Sequence, residues 1–190
     1  IEKQEDKSIK VTTNKNTYLT KTILLTTGMG VFTPRKTGLE GEDDLTNIYY
    51  SVKDKSIFKD QEIVILGGGD SAVDWAIALS DIAKKVNIVH RRDEFRADEQ
   101  LVNNLKKYQN IDIVTPYVII DSEGDKKIQS LTLQNVIDSS VKKIDAEALF
   151  VYVGANPVTD FIDVKDILDE RGQIITNENM ETKSQGLFAA

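Results

Sequence analysis

Gly67-x-Gly69-x-x-Ala72 stands directly after the apolar run Ile63–Leu66 and opens a stretch of helical periodicity. Glycines at that spacing suit one chemistry, the close approach of backbone N–H groups to phosphate oxygens. Gly67 permits a tight strand-to-helix turn, Gly69 lets the backbone come up to a pyrophosphate, and the small Ala72 lets the helix pack close to the strand. The helix N-terminus adds partial positive charge facing the phosphates. Gly67, Gly68, Gly69, Asp70, Ser71 and Ala72 therefore form the candidate pyrophosphate cradle. A glycine-rich turn also serves structure alone, and it is the strand before and the helix after that favour the dinucleotide reading.

The second strand decides which dinucleotide. NAD-binding folds place an acidic residue about 20 residues beyond the glycines to hold ribose hydroxyls. Here that place is taken by His90, Arg91 and Arg92, with Arg96 one turn on. An acid there would repel a 2′-phosphate, whereas planar guanidinium groups bind it through charge-assisted, often bidentate bonds. NADP(H) is the expected ligand. The bland alternatives are a solvated charged turn in which Asp93 and Glu94 pair locally, and a strand-end histidine satisfied by backbone. Trp75 reads as packing. Asp74 suits the helix dipole with or without a nicotinamide-side contact.

The elements that must position these residues follow from periodicity. Ile63–Leu66 is an apolar strand, and Ser71–Ala83 a helix with apolar residues at 72, 73, 76, 77 and 79, capped by Asp70 or Ser71. Val86–Val89 is the next strand, Arg96–Tyr108 a second amphipathic helix, and Ile111–Val114 a third strand ended by Pro116. "IQSLTLQNV" and "VKKIDAEALFVYVG" read as an antiparallel excursion returning to a buried strand at Leu149–Val153. Before all this, Ile9, Val11 and Thr13 alternate into an Asn14–Asn16 turn and two further strands, the second at Thr22–Leu25. "GMGVFTPRKTGLEGEDD" is a loop or linker, with a boundary near Gly38–Glu42.

A net charge of −7 disfavours bulk nucleic acid and anionic membranes as partners. No run approaches the roughly 18 apolar residues of a membrane span, and the polar opening "IEKQEDKSIK" is no signal peptide. With no cysteine and a single histidine, disulfides, dithiol chemistry and zinc catalysis are not expected. A cytoplasmic setting is the expectation. No side chain stands out as an acid–base catalyst, so no catalytic residue is assigned.

"ILLTTGMGVFTPRKTGLEGED", "GGGDSAVDWAIALSDIAKKVNIVHRRDEFRA", "FVYVGANP" and "GLFAA" together resemble the low-molecular-weight thioredoxin reductase family, and more narrowly its ferredoxin/flavodoxin–NADP reductase branch. The likeness covers essentially the whole chain. In that family "LLTTG" corresponds to the passage from flavin domain to nucleotide domain. Gly154 and Pro157 correspond to a G-x-x-P turn beside the nucleotide, which adds Gly154 to the candidate binding residues. Thioredoxin reductases carry a redox C-x-x-C before the G-x-G strand, where this chain has the cysteine-free "LTNIYYSVKDKSIFKDQ", so the ferredoxin branch is preferred. The family's flavin-binding G-x-G-x-x-G and the Gly-Asp that follows "GLFAA" are both outside the sequence.

The resemblance implies an α/β fold: a three-layer, Rossmann-like NAD(P)-binding domain with an antiparallel β excursion, flanked by β-rich stubs of a split FAD-binding domain. The corresponding division is 1–40 and 158–190 for the flavin-domain pieces and 41–157 for the NADPH-binding domain. The implied activity is hydride transfer between NADPH and FAD, with ferredoxin or flavodoxin as electron acceptor and a homodimeric intact enzyme. FAD belongs to that intact enzyme and is not expected on this stretch alone. The rivals are a disulfide reductase of the thioredoxin reductase family and a non-enzymatic NADP-binding sensor module.

Overall fold

Residues whose apolar runs allow burial on both faces become the centre of a parallel sheet. A computed structural model describes residues 1–28 and 33–190, so the Met29–Phe32 part of the expected linker lies outside the described residues. Two compact units result, residues 34–154 and residues 1–33 with 155–190. The first comprises, in chain order, β1 (Ile48–Tyr49), β2 (Glu62–Leu66), α1 (Asp70–Ser80), β3 (Lys85–Val89), α2 (Glu99–Leu105), β4 (Ile111–Val114), β5 (Tyr117–Glu123), β6 (Ser130–Asn135), β7 (Val141–Asp145) and β8 (Ala148–Val151).

Strands β1, β8, β2, β3 and β4 lie side by side in that order, all parallel, with Ile63 opposite Val86 and Leu66 opposite Val89. On one face Ile63, Ile65, Ile88 and Phe150 pack against Ala72, Val73, Ala76 and Leu79 of α1. On the other, Val64, Val89 and Leu149 are covered by Leu131 and Leu133 of the antiparallel sheet β5–β6–β7. Each such fully buried Ile, Leu or Phe contributes about 1.5–3 kcal/mol relative to exposure. This is the expected α/β architecture of helix layer, parallel sheet and antiparallel excursion.

Three local expectations are corrected. The cap of α1 is Gly69, without a side-chain cap bond, while Asp70 is the first helical residue and its Oδ1 accepts from Asp98 N–H at 2.9 Å. The helix stops at Ser80 rather than Ala83, because Asn110 Nδ2 donates to the carbonyls of Ser80 and Ala83 and turns the chain toward β3. The second helix starts at Glu99, not Arg96, since Arg96 and Ala97 commit their N–H groups to the Gly68 carbonyl and Asp98 caps through Gln100 N–H.

The other unit has its own small core of Leu25, Ile162, Ile167, Leu187 and Ala189. Ile9–Thr12 pairs antiparallel with Thr17–Thr20 across the expected turn, and Ile23–Leu25 pairs parallel with Leu187–Ala189. The chain divides at 33/34 and 154/155, earlier than the expected 40/41 and 157/158. Leu39 explains the first difference, being buried against the Val64 face of the parallel sheet and so held by the 34–154 unit. Among the described residues, no helix is long and apolar enough to cross a membrane.

Candidate nucleotide-binding site

The carboxyl ends of β8, β2 and β3 come together where open α/β sheets bind ligands. At Gly67, φ is +154° and an added Cβ would lie 2.6 Å from the Tyr152 carbonyl oxygen and 3.0 Å from Ala72 Cβ. Only glycine makes this turn, and the smallness of Ala72 is part of the same fit. At Gly68 an added Cβ would lie 2.5 Å from the His90 ring, so the middle glycine is what lets that ring in. Around Gly69 there is open space within 4 Å, and its backbone leads directly into α1. Ser71 is exposed in the first turn, as is Asp74, while Trp75 packs on the helix-side core.

The arginine segment is fastened to the glycine loop by its backbone. Arg96 N–H and Ala97 N–H donate to Gly68 O at 2.7 and 3.2 Å, and the Asp98–Asp70 bond secures the next turn. Arg91, Arg92 and Arg96 are exposed, and among the described residues their guanidinium groups make no ion pair or hydrogen bond. The local pairing with Asp93 and Glu94 does not form.

His90 differs from them. Its N–H donates to Val114 O and its carbonyl accepts from Tyr117 N–H, at 3.1 and 2.9 Å, so the backbone is satisfied as a strand end. The ring is buried beside Gly68, with its centroid 5.4 Å from that of Phe95. Burial pushes its pKa down; the hydrogen bond with the Glu94 backbone works against this, and Arg92, Arg91 and Arg96 reinforce it.

Gly67, Gly68, His90, Arg91, Arg92 and Arg96 all line one cavity of about 360 Å³, within the range of small-molecule sites. Gly69, Asp70, Ser71 and Ala72 continue from it into α1. Gly154 directly follows the lining residue Val153, and its carbonyl accepts from Arg35 N–H at 3.1 Å. The sequence reading missed Arg35, Lys36, Thr37 and Tyr152, which also line the cavity. Two consecutive basic residues in an acidic chain were the available signal for the first pair, and a tyrosine ending the apolar β8 run for the last.

Glu42 holds the 35–38 loop. Its buried carboxylate accepts from Thr37 N–H at 3.1 Å, Thr37 Oγ1 at 2.9 Å, Gly38 N–H at 3.0 Å and the Tyr50 hydroxyl. Burial alone would raise its pKa, but these donors outweigh burial and hold it below the usual carboxylate value. Lys36 is ion-paired with Asp43.

The sequence profile of pyridine nucleotide-disulphide oxidoreductases matches residues 1–190. The "ferredoxin–NADP reductase 2" of Oceanobacillus iheyensis is 40% identical over 195 residues, covering 100% of this chain and 58% of its own length. That of Bacillus subtilis is 39% identical over 197 residues with the same coverage. Among solved structures, the thioredoxin reductase of Lactococcus lactis superposes with a TM-score of 0.88 at 36% identity, over 98% of this chain and 62% of that one. The T. acidophilum thioredoxin reductase gives 0.86 at 29% identity, over 99% and 62%. The chain thus spans 58% of the length of these curated relatives. With every residue inside the family profile and the glycine turn and basic strand end on one cavity, the chain belongs to the pyridine nucleotide-disulphide oxidoreductase family.

Proposed function

We propose that residues 34–154 bind NADP(H) for a flavin-dependent reductase that exchanges electrons with ferredoxin or flavodoxin in the cytoplasm. The observation that carries this reading is the set of three unpaired guanidinium groups sharing a cavity with the glycine turn. The open backbone at Gly69 and the start of α1 suit the pyrophosphate. Arg91, Arg92 and Arg96 suit the 2′-phosphate, as charge-assisted donors with no competing acid. The His90 ring packs against Gly68.

FAD fits the other unit in one respect. A cavity of about 430 Å³ lies at the ends of the parallel pair Ile23–Leu25 and Leu187–Ala189, lined in part by Leu25, Thr27, Gly28, Ala189 and Ala190. FAD, when bound, supplies the hydride acceptor and the conversion to single electrons. This chain's residues bind and orient the nucleotide, and hydride transfer asks no proton of them. The names of the curated relatives favour ferredoxin as partner. The lack of cysteine in residues 45–61, where the dithiol branch would carry its pair, disfavours a disulfide substrate.

Calorimetric titration with NADPH and NADH tests the assignment. One charge-assisted phosphate contact is worth about 1.5–3 kcal/mol, so NADPH should bind roughly ten- to over a hundredfold more tightly. Equal affinities overturn it.

A further inference from the structure

Among the described residues, two side-chain polar atoms are buried with no hydrogen-bond partner: His90 Nε2 and Tyr152 Oη. Both belong to residues lining the same cavity. Folded proteins satisfy nearly all buried polar groups, and each exception calls for a reason. Two exceptions on one cavity share a reason if the missing partner is the ligand itself.

Their placement separates them. His90 follows β3 and Tyr152 follows β8, and these strands flank β2 on opposite sides, with the Gly67 turn between. Neighbouring strands lie roughly 4.8 Å apart, so the two positions stand about 10 Å from each other across the sheet. His90 sits with the arginines, on the flank suited to the 2′-phosphate. A single phosphate held there does not extend to the β8 flank. A dinucleotide crossing the glycine turn does. Burial pushes the Tyr152 phenol up to about 12, so it is a neutral donor across the working pH range.

We propose that Tyr152 is a nucleotide-binding residue, its hydroxyl completed by the part of NADP(H) beyond the adenosine half, the nicotinamide-side phosphate or ribose. The inference rests on the NADP(H) reading above and adds to it a contact on the flank opposite the arginines. In the unliganded protein the hydroxyl is an uncompensated buried group. In the complex it donates to an oxygen of the ligand.

Tyr152→Phe removes the hydroxyl and keeps the ring, and NADPH and adenosine 2′,5′-bisphosphate are the two probes. The variant should bind NADPH about tenfold more weakly, the loss of one hydrogen bond to an ionised or strongly polar group. It should bind the bisphosphate within twofold of the parent, roughly the scatter of distant, independent sites. Without ligand its melting temperature should not fall, because the hydroxyl has no protein partner to lose, while the upward shift caused by NADPH should shrink. Unchanged NADPH affinity overturns the inference and leaves the NADP(H) reading standing. So does an equal loss with both probes, which would place the hydroxyl on the adenosine side. If the parent protein binds neither probe, the NADP(H) reading fails and this inference falls with it.

Discussion

Two basic segments line one cavity, and they are built in opposite ways. Residues 90–98 are held by their backbone: Gly68 O takes two N–H groups from the segment, Asp70 takes a third, and the guanidinium groups stay unengaged. Residues 35–38 are held by a side chain, the buried Glu42 carboxylate, and their lysine is already paired with Asp43. Anchoring through the backbone leaves charge available for a ligand. In the second segment the charge of Lys36 is taken up by Asp43, next to the anchoring Glu42. The first segment therefore reads as the clamp and the second as a wall, although both are basic.

The largest effect should come from the clamp. On the proposed NADP(H) reading, Arg91→Glu with Arg92→Ala should remove two phosphate contacts, each worth about 1.5–3 kcal/mol, or about two to four orders of magnitude in NADPH affinity. The new glutamate accepts ribose hydroxyls and repels a 2′-phosphate, so the preference should reverse toward NADH. Titration with both nucleotides measures this. The melting temperature should stay put, because among the described residues neither arginine makes an ion pair or a hydrogen bond. Equal loss of both nucleotides would make the arginines structural and erase the distinction between the segments.

How much of this was legible depends on the range of the interactions. The β2–turn–α1–β3 unit was readable because its signals are local: an apolar run, glycines, then apolar residues at helical spacing. The same reading put α2 too early, because Leu101, Val102 and Leu105 mark a helix face but not where it begins. The N–H groups of Arg96 and Ala97 are spent on Gly68, nearly thirty positions upstream, and nothing local records that. Arg35–Thr37 looked like linker because what makes it cavity wall is Glu42 together with the distant Gly154 carbonyl. Tyr152 was invisible for a different reason. A tyrosine ending a strand is ordinary, and only a buried hydroxyl without a partner singles it out.

The wall should yield a stability effect of intermediate size. Glu42→Gln keeps the shape but gives up the charge that four donors share, and should cost about 1–3 kcal/mol at pH 7. The carboxyl group has a lower pKa folded than unfolded, so its contribution is fully present above the unfolded value near 4.5. It fades as pH falls through the lower folded value. Urea unfolding at pH 7 and in stronger acid should show the gap between parent and variant closing as pH drops. A gap that widens in acid would mean that the carboxylate is not what holds the loop.

The smallest effect is the sharpest test of the contrast. Lys36 and Asp43 are both exposed, their side chains 56% and 81% accessible, so their pairing is screened by water and salt. Seen from the cavity, the pair carries no net charge, and Lys36→Ala removes almost nothing that a phosphate would feel. NADPH affinity should change by no more than about twofold, with the NADPH-to-NADH ratio unaltered. Arg96 contributes a whole uncancelled charge, and Arg96→Ala should cost about tenfold or more for NADPH and little for NADH. Asp43→Asn supplies the complement. It releases Lys36, and NADPH affinity should rise slightly, more so at low ionic strength, where the freed charge is less screened. Parallel titrations of the three variants at low and physiological salt decide the matter. If Lys36→Ala costs as much as Arg96→Ala, the ion pair opens when nucleotide arrives, and the two segments form a single clamp closing from both sides.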